Sequence, residues 1–113
     1  MTQHLNERRQ DERRQDERRF FKTTVICSVG PRGSERTLFG QVVNISAWGV
    51  QILCKGDIQS GEELDLTFMN ERRETIAEIH ARVVWHHQEG PGAFRIGVRL
   101  DRELTYEEIA SIA

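Results

Sequence analysis

The sequence has no hydrophobic run long enough to form a membrane-spanning helix. Such a helix needs about 18 or more consecutive apolar residues, whereas charged residues make up 30% of this 113-residue chain. The segment from Met1 to Gln10 also lacks the apolar core of a signal peptide. We therefore expect one cytoplasmic domain without membrane insertion, because a chain of this length has no room for a second core.

Only two cysteines are present, and neither has a partner at a metal-binding spacing. Cys27 and Cys54 lie in separate apolar stretches, without a CxxC pattern or a cysteine–histidine spacing typical of zinc sites. Two cysteines are too few to build a structural zinc site. We expect both to be reduced and buried, because a free cysteine behaves as a small hydrophobic residue.

Arrangements typical of catalysis are also missing. No glycine-rich loop precedes a helix, so neither a P-loop nor a Rossmann-type phosphate site is expected. His80 has no acidic residue at a suggestive spacing, and the adjacent His86 and His87 should point to opposite faces of a strand. Ser46 has no GxSxG context. The sequence therefore predicts no enzyme, no metal site and no cofactor.

The chain also lacks an excess of one charge sign, with a net charge of −2. Its N-terminal repeat ERRQDERRQDERR (7–19) holds six arginines and five acids, which leaves the rest of the chain at −3. Proteins that bind nucleic-acid polymers usually present a basic face across the fold. We therefore expect no nucleic-acid polymer as a partner, and any bound anion should be small enough for a few local arginines.

After Lys22 the hydrophobic pattern is typical of β-strands. It is clearest in ELDLTFM (63–69) and FRIGVRL (94–100), where apolar residues recur at every second position. Further strands are predicted at residues 23–29, 37–43, 50–54 and 75–87, separated by glycine-, proline- and serine-rich turns.

The last segment changes its period. Thr105 and Glu108 have the spacing of a capping box, which predicts a short amphipathic C-terminal helix. Six short strands and one helix favour an all-β fold: a six-stranded antiparallel barrel with a C-terminal helix. Closing the sheet into a barrel removes most exposed strand edges, which helps so small a core.

The charged repeat is predicted to be a flexible arm over residues 1–17, ahead of a domain at 18–113. Its five-residue period does not match the helical period of about 3.6 residues. In a helix, its i,i+4 pairs would include both like and opposite charges. Their stabilising and destabilising interactions, about 0.2–0.5 kcal/mol each, would nearly cancel. Before Phe20 the repeat has no apolar face to bury.

Two short segments stand out as candidate binding elements. Arg18, Arg19 and Lys22 come directly before the first strand, and a guanidinium can bind phosphate or guanine in a bidentate manner or stack on a base. The segment NISAWG (44–49) places an amide, a hydroxyl and a glycine at a turn between two strands. From the residues alone it fits a simple tight connection as well as a ligand site.

Together these segments and the late strand RIGVRL resemble the PilZ family, whose members are six-stranded barrels that bind the bacterial second messenger cyclic di-GMP. The resemblance extends from about Glu17 to Leu100. It implies that Asn44 and Ser46, in the [DN]xSxxG pattern, hydrogen-bond a guanine and that Gly49 fits the tight turn. The Asn44 carbonyl would accept from a guanine N–H without an ionic contribution.

The same resemblance gives two registers for the arginine motif. By distance to the first strand, Arg18 and Lys22 take the two arginine places, with Arg19 adjacent; in the second register Arg14 and Arg18 take them. Lysine is not equivalent to arginine where a planar fork is needed. Trp85 would either stack on a guanine, as aromatic residues do in some relatives, or pack in the core.

The resemblance implies a stand-alone receptor that clamps cyclic di-GMP between the arm and the turn. Ordering the arm costs about 1–2 kcal/mol per backbone residue, which charge-assisted contacts of about 1.5–3 kcal/mol each must offset. An unidentified downstream protein would recognise the ordered arm. The alternative, favoured by Lys22 and Asn44, is a barrel that has lost nucleotide binding and serves as a protein–protein interaction module.

Overall fold

The six predicted strands close into a barrel in the computed structural model, which describes residues 23–30 and 36–112. Neighbouring strands are antiparallel, in the order β1-β2-β3-β6-β5-β4, and β1 closes the barrel by pairing with both β2 and β4. A helix, α1, follows the last strand, so the predicted all-β class is confirmed. The elements are β1 Thr24–Val29, β2 Arg36–Ile45, β3 Gly49–Cys54, β4 Glu63–Met69, β5 Thr75–Gly90, β6 Ala93–Leu100 and α1 Tyr106–Ile112.

The core is built from the inward faces of all six strands. In β4 every second side chain is buried and the side chains between them are half-buried, as period-two alternation requires. Burying one large aliphatic or aromatic side chain contributes about 1.5–3 kcal/mol. The largest side chains that are less than 2% exposed include Phe68, Ile52, Ile58, Leu64, Leu66 and Ile96.

Both cysteines belong to this core. Cys27 and Cys54 are buried and are not linked by a disulfide, as the sequence predicts. Burial raises the pKa of the Cys27 thiol to about 12, because the thiolate would lose its hydration. Since the thiolate is the reactive form, this thiol is inert in the folded protein.

Strand β5 contains a bulge that decides the position of its tryptophan. Val83 is buried in the core, and strict alternation would turn the next-but-one residue, Trp85, into the core as well. The register with β6 shifts between Val83 and Trp85, so Val84 is an extra residue and Trp85 lies opposite Gly97. Trp85 consequently faces outward with 38% of its surface exposed, and its core-packing alternative is wrong.

The helix α1 covers the end of the barrel at which β1 begins, and it is fixed at both ends. The predicted capping box is present: Thr105 N–H donates to Glu108 Oε1 at 2.9 Å, and Glu108 N–H donates to Thr105 Oγ1 at 3.1 Å. Arg102 donates two hydrogen bonds of 2.8 Å to the same carboxylate. At the other end, the buried Thr23 hydroxyl donates to the Ile112 carbonyl at 2.9 Å.

His80 lies on the outer surface among three carboxylates. Its Nδ1 is 3.0 Å from Asp65, and its Nε2 is 3.8 Å from Glu63 and 4.0 Å from Asp101. The hydrogen bond with Asp65 is the main cause of a raised His80 pKa, and the nearby negative charges add to it. Sequence spacing indicates no acid near His80, and strand pairing supplies these partners: two of the acids come from the neighbouring strand β4 and one follows β6.

Replacing Glu108 with alanine should lower the free energy of unfolding by about 1–2 kcal/mol, because the helix loses its capping carboxylate. The side-chain bond from Arg102, followed by the bond from Thr105, lowers the pKa of Glu108 to about 2. The stabilisation by the Glu108 carboxylate is therefore present above about pH 4.3, the unfolded pKa. It is lost as the pH falls towards the pKa of Glu108 in the folded protein. Urea denaturation at neutral pH measures the loss. Glu107→Ala, in the same helical turn, is the matched control, and equal losses in both variants would contradict the cap.

Replacing His80 with glutamine should lower the melting temperature more in mild acid than in mild alkali. A raised folded pKa means that protonated His80 stabilises the fold below its unfolded pKa of about 6.5. This stabilisation disappears as the pH rises through the higher folded value. Thermal melts by circular dichroism between about pH 5 and pH 9 bracket the transition. His87→Gln is the control, and a difference from wild type that does not vary with pH would contradict the assignment.

Candidate functional site

Residues 44–49 form a tight connection between β2 and β3. Both the N–H and the hydroxyl of Ser46 donate to the Gly49 carbonyl, at 2.8 and 3.2 Å. The side-chain oxygen of Asn44 accepts from Ile45 N–H at 2.8 Å. A Cβ at Gly49 would meet the Val98 carbonyl at 3.3 Å, so glycine lets the turn approach β6 closely.

These local bonds determine which polar atoms of the turn remain for a ligand. The Asn44 carbonyl accepts from the backbone and keeps a second lone pair, while its NH₂ group makes no hydrogen bond with another described residue and is available as a donor. The Ser46 hydroxyl gives its proton to Gly49, so its oxygen remains as an acceptor. The turn therefore offers a donor at position 44 and an acceptor at position 46.

A bulge in β2 aligns Asn44 with residues on three other strands. Val43 is left out of the pairing between β2 and β3, and Asn44 then lies opposite Gln51. Gln51 lies opposite Gly97 of β6, which lies opposite Trp85 of β5. We call these four residues, Asn44, Gln51, Gly97 and Trp85, the outer row. It crosses four adjacent strands on the outer wall of the barrel.

The indole of Trp85 covers the backbone of Gly97. A Cβ built on Gly97 would overlap the ring, so the close approach requires glycine at this position. The contact buries Gly97 while Trp85 stays partly exposed. Part of the indole is therefore open to a ligand.

The outer row borders a pocket with a volume of about 200 Å³, which gathers four of the predicted site residues: Asn44, Ser46, Gly49 and Trp85. Sites that enclose whole drug-sized ligands usually measure about 300–1,000 Å³. This pocket therefore suits one planar group of a larger ligand. Its other lining residues are Ile45, Val50, Gln51, Val84, Gly97 and Val98.

Two residues of this surface, Gln51 and Arg99, were not predicted from the sequence as site residues. Arg99 lies opposite Gly49 on one side and Arg82 on the other. Glu63 pairs with Arg82 at 3.1 Å, whereas Arg99 has no ion pair or hydrogen bond with another described residue. Like charges directly opposite each other are unfavourable, so Arg99 is a cation beside the turn that an anion would stabilise. The alternation of β6 indicates that Arg99 faces outward, but only the register shows that it lies beside Gly49.

The predicted basic residues Arg14, Arg18, Arg19 and Lys22 lie outside the described residues. The structure does show where this segment joins the barrel. The carbonyl of Thr23 accepts from Val42 N–H at 3.4 Å, directly before the bulge in β2. The N-terminal segment therefore joins the barrel at the same end as the turn at 44–49.

A larger and more polar pocket of about 520 Å³ lies at the opposite end of the barrel and contains none of the predicted residues. It is lined by Arg36, Asp57, Gln59, Ser60, Gly61 and Glu62. Ser60 N–H donates to His86 Nδ1 at 3.0 Å, which makes this nitrogen an acceptor that holds the loop before β4. Within residues 23–30 and 36–112, no group of three or more histidine, cysteine, aspartate or glutamate residues is placed to hold a metal ion.

A family model described as PilZ domain matches residues 7–113. The match includes the turn at 44–49, the outer row and the helix α1, so it covers nearly the whole chain. No curated protein and no solved structure gives a significant match. In the described part of the chain, no helix is long and apolar enough to cross a membrane.

Replacing Gly97 with alanine should displace the Trp85 indole and lower the free energy of unfolding by about 1–3 kcal/mol, because the added methyl group overlaps the ring. Tryptophan emission in a Trp48→Phe background reports the displacement, and urea denaturation gives the energy. Gly90→Ala is the matched control on the same hairpin, since a Cβ there has no neighbour within 4 Å. Unchanged emission and stability in Gly97→Ala would contradict the packing.

Proposed function

Because the chain belongs to the PilZ domain family, we propose that it binds cyclic di-GMP in the pocket beside residues 44–49, with N-terminal arginines closing over the ligand. Members of this family are binding modules rather than enzymes. The observation that supports the proposal most strongly is the pocket itself. It combines the three turn residues of the [DN]xSxxG pattern with the exposed face of Trp85.

The guanine base is the part of the ligand that suits the pocket. Guanine presents an acceptor at O6 beside a donor at N1–H, which complements the donor of Asn44 and the acceptor of Ser46. Adenine presents the reverse order at these two positions, a donor at N6 and an acceptor at N1. The exposed part of Trp85 adds a stacking surface, and base–aromatic stacking is worth about 1–3 kcal/mol per base.

The phosphates would lie against the basic residues around the turn. Arg99 is opposite Gly49 and has no anionic partner among the described residues. Arg18 comes five residues before Thr23, and an extended chain spans up to about 3.6 Å per residue, or about 18 Å. Neighbouring strands are about 4.8 Å apart, so both Arg18 and Lys22 are within reach of the pocket from this attachment point. Arg14, further upstream, has a longer reach.

Binding would couple the ligand to the shape of the N-terminal segment. Ordering the five residues from Arg18 to Lys22 costs about 1–2 kcal/mol each. Charge-assisted contacts of about 1.5–3 kcal/mol each can offset that cost for a short segment of this length. The ordered segment would then be recognised by a downstream protein, which is the proposed output.

Isothermal titration calorimetry with cyclic di-GMP should show micromolar or tighter binding. Ser46→Ala and Arg18→Ala should abolish the heat, because each removes a direct contact with the ligand. Cyclic di-AMP should not compete, because its base edge has the reverse donor–acceptor order. Absence of heat with folded wild-type protein would overturn the receptor proposal. It would favour the alternative of an interaction module without a nucleotide ligand.

Two further comparisons in the same titration show which basic residues contact the ligand. Arg99→Ala should weaken binding by about tenfold or more, in line with the loss of one charge-assisted contact. Lys55→Ala, at the opposite end of the barrel, removes the same charge and is the matched control. Loss of binding in Arg14→Ala but not in Lys22→Ala would identify the upstream register, and the converse would identify Arg18 with Lys22.

A further inference from the structure

Gln51 occupies the centre of the outer row without an evident structural role. It lies opposite Asn44 on one side and Gly97 on the other. Its neighbours in β3, Val50 and Ile52, are buried in the core, so its side chain is on the outer wall, where it lines the pocket. Its amide makes no hydrogen bond with another residue in the described parts of the chain.

A half-buried amide without a protein partner depends on water for its hydrogen bonds. Among residues 23–30 and 36–112, Gln51 is in this position, since it is partly covered on the pocket wall. A ligand that displaces such water loses affinity unless it replaces the bonds that the water made. On β6, Gly97 next to Gln51 is covered by the Trp85 indole, so a base stacked on the exposed part of this ring would lie beside the Gln51 amide.

The edge of a guanine needs acceptors for two donors. Guanine offers N1–H and the 2-amino group beside the acceptor O6. In the turn, Asn44 Oδ1 already accepts from Ile45 N–H and Ser46 Oγ already donates to Gly49, so both oxygens are partly engaged before a ligand binds. A further acceptor beside the turn would pair one donor of the base without drawing on these oxygens. An amide carries both an acceptor and a donor and can make a bidentate contact with a purine.

We infer that Gln51 is a specificity-determining residue that hydrogen-bonds the guanine edge in the pocket, supplying a further acceptor beside those of the turn. The inference rests on the proposed function, since it assigns a role within the same site. The supporting observations are an amide that has no hydrogen-bond partner among the described residues, its place directly beside Asn44 in the outer row, and the Trp85 indole over Gly97 on its other side.

The test compares Gln51→Leu and Gln51→Ala with wild-type protein by calorimetry with cyclic di-GMP. Leucine keeps much of the side-chain volume without the amide, and alanine empties the position. Both variants should weaken binding by about 5- to 20-fold, as expected for the loss of one or two hydrogen bonds. The unfolding midpoints in urea should stay at the wild-type value. Gln88→Leu, an exposed glutamine near the tip of the β5–β6 hairpin, is the matched control and should bind as wild type does.

The outcomes separate this inference from the proposed function. If the wild-type protein binds no cyclic di-GMP, both the proposed function and the role of Gln51 are overturned. Wild-type binding with a loss of less than about threefold in either Gln51 variant overturns only the role of Gln51. Weakening in Gln51→Leu alone would indicate steric obstruction by leucine, and it would overturn the hydrogen-bonding role in the same way.

Discussion

In a closed barrel each strand has one face for the core, and this constraint decides where a binding surface can form. Strict alternation along β5 would bury Trp85, and the extra residue Val84 turns it outward instead. The extra residue Val43 in β2 likewise sets the register in which Asn44 lies opposite Gln51. Both register shifts border the outer row, so the candidate site is built where the alternation is interrupted.

The strands were predictable from sequence to the extent that their alternation is regular. The pattern ELDLTFM predicts a strand with the observed bounds, Glu63–Met69, because every second residue is apolar. The helix was predictable because Thr105 and Glu108 satisfy each other within one turn. In contrast, β5 runs to Gly90 because its pairing with β6 continues to Ala93. A segment rich in glycine and polar residues does not indicate that pairing.

The candidate site was predictable only in its contiguous part. Asn44, Ser46 and Gly49 belong to one short pattern, so sequence resemblance is enough to single them out. Gln51 lies opposite Asn44 because of the bulge at Val43, which the sequence does not mark. Arg99 becomes a neighbour of Gly49 through the strand order, in which β6 lies between β3 and β5. This order is not sequential along the chain, and period-two alternation shows which face a residue occupies without showing which strand lies beside it. Two of the acids around His80 lie on β4, the strand before β5, but only the register shows that Asp65 lies opposite His80.

The junction at Thr23 limits how a ligand could act on this molecule. Its carbonyl is bonded to Val42 in β2, and its hydroxyl is bonded to Ile112 at the end of α1. One strand of the barrel and the C-terminal helix therefore fix Thr23, the residue that follows the N-terminal segment. A ligand shifts an equilibrium only by its differential affinity for the two states, and a close-packed core deforms little. A cyclic dinucleotide bound as proposed would then act mainly on the residues before Thr23, so a partner protein would recognise the clamped segment together with the turn at 44–49.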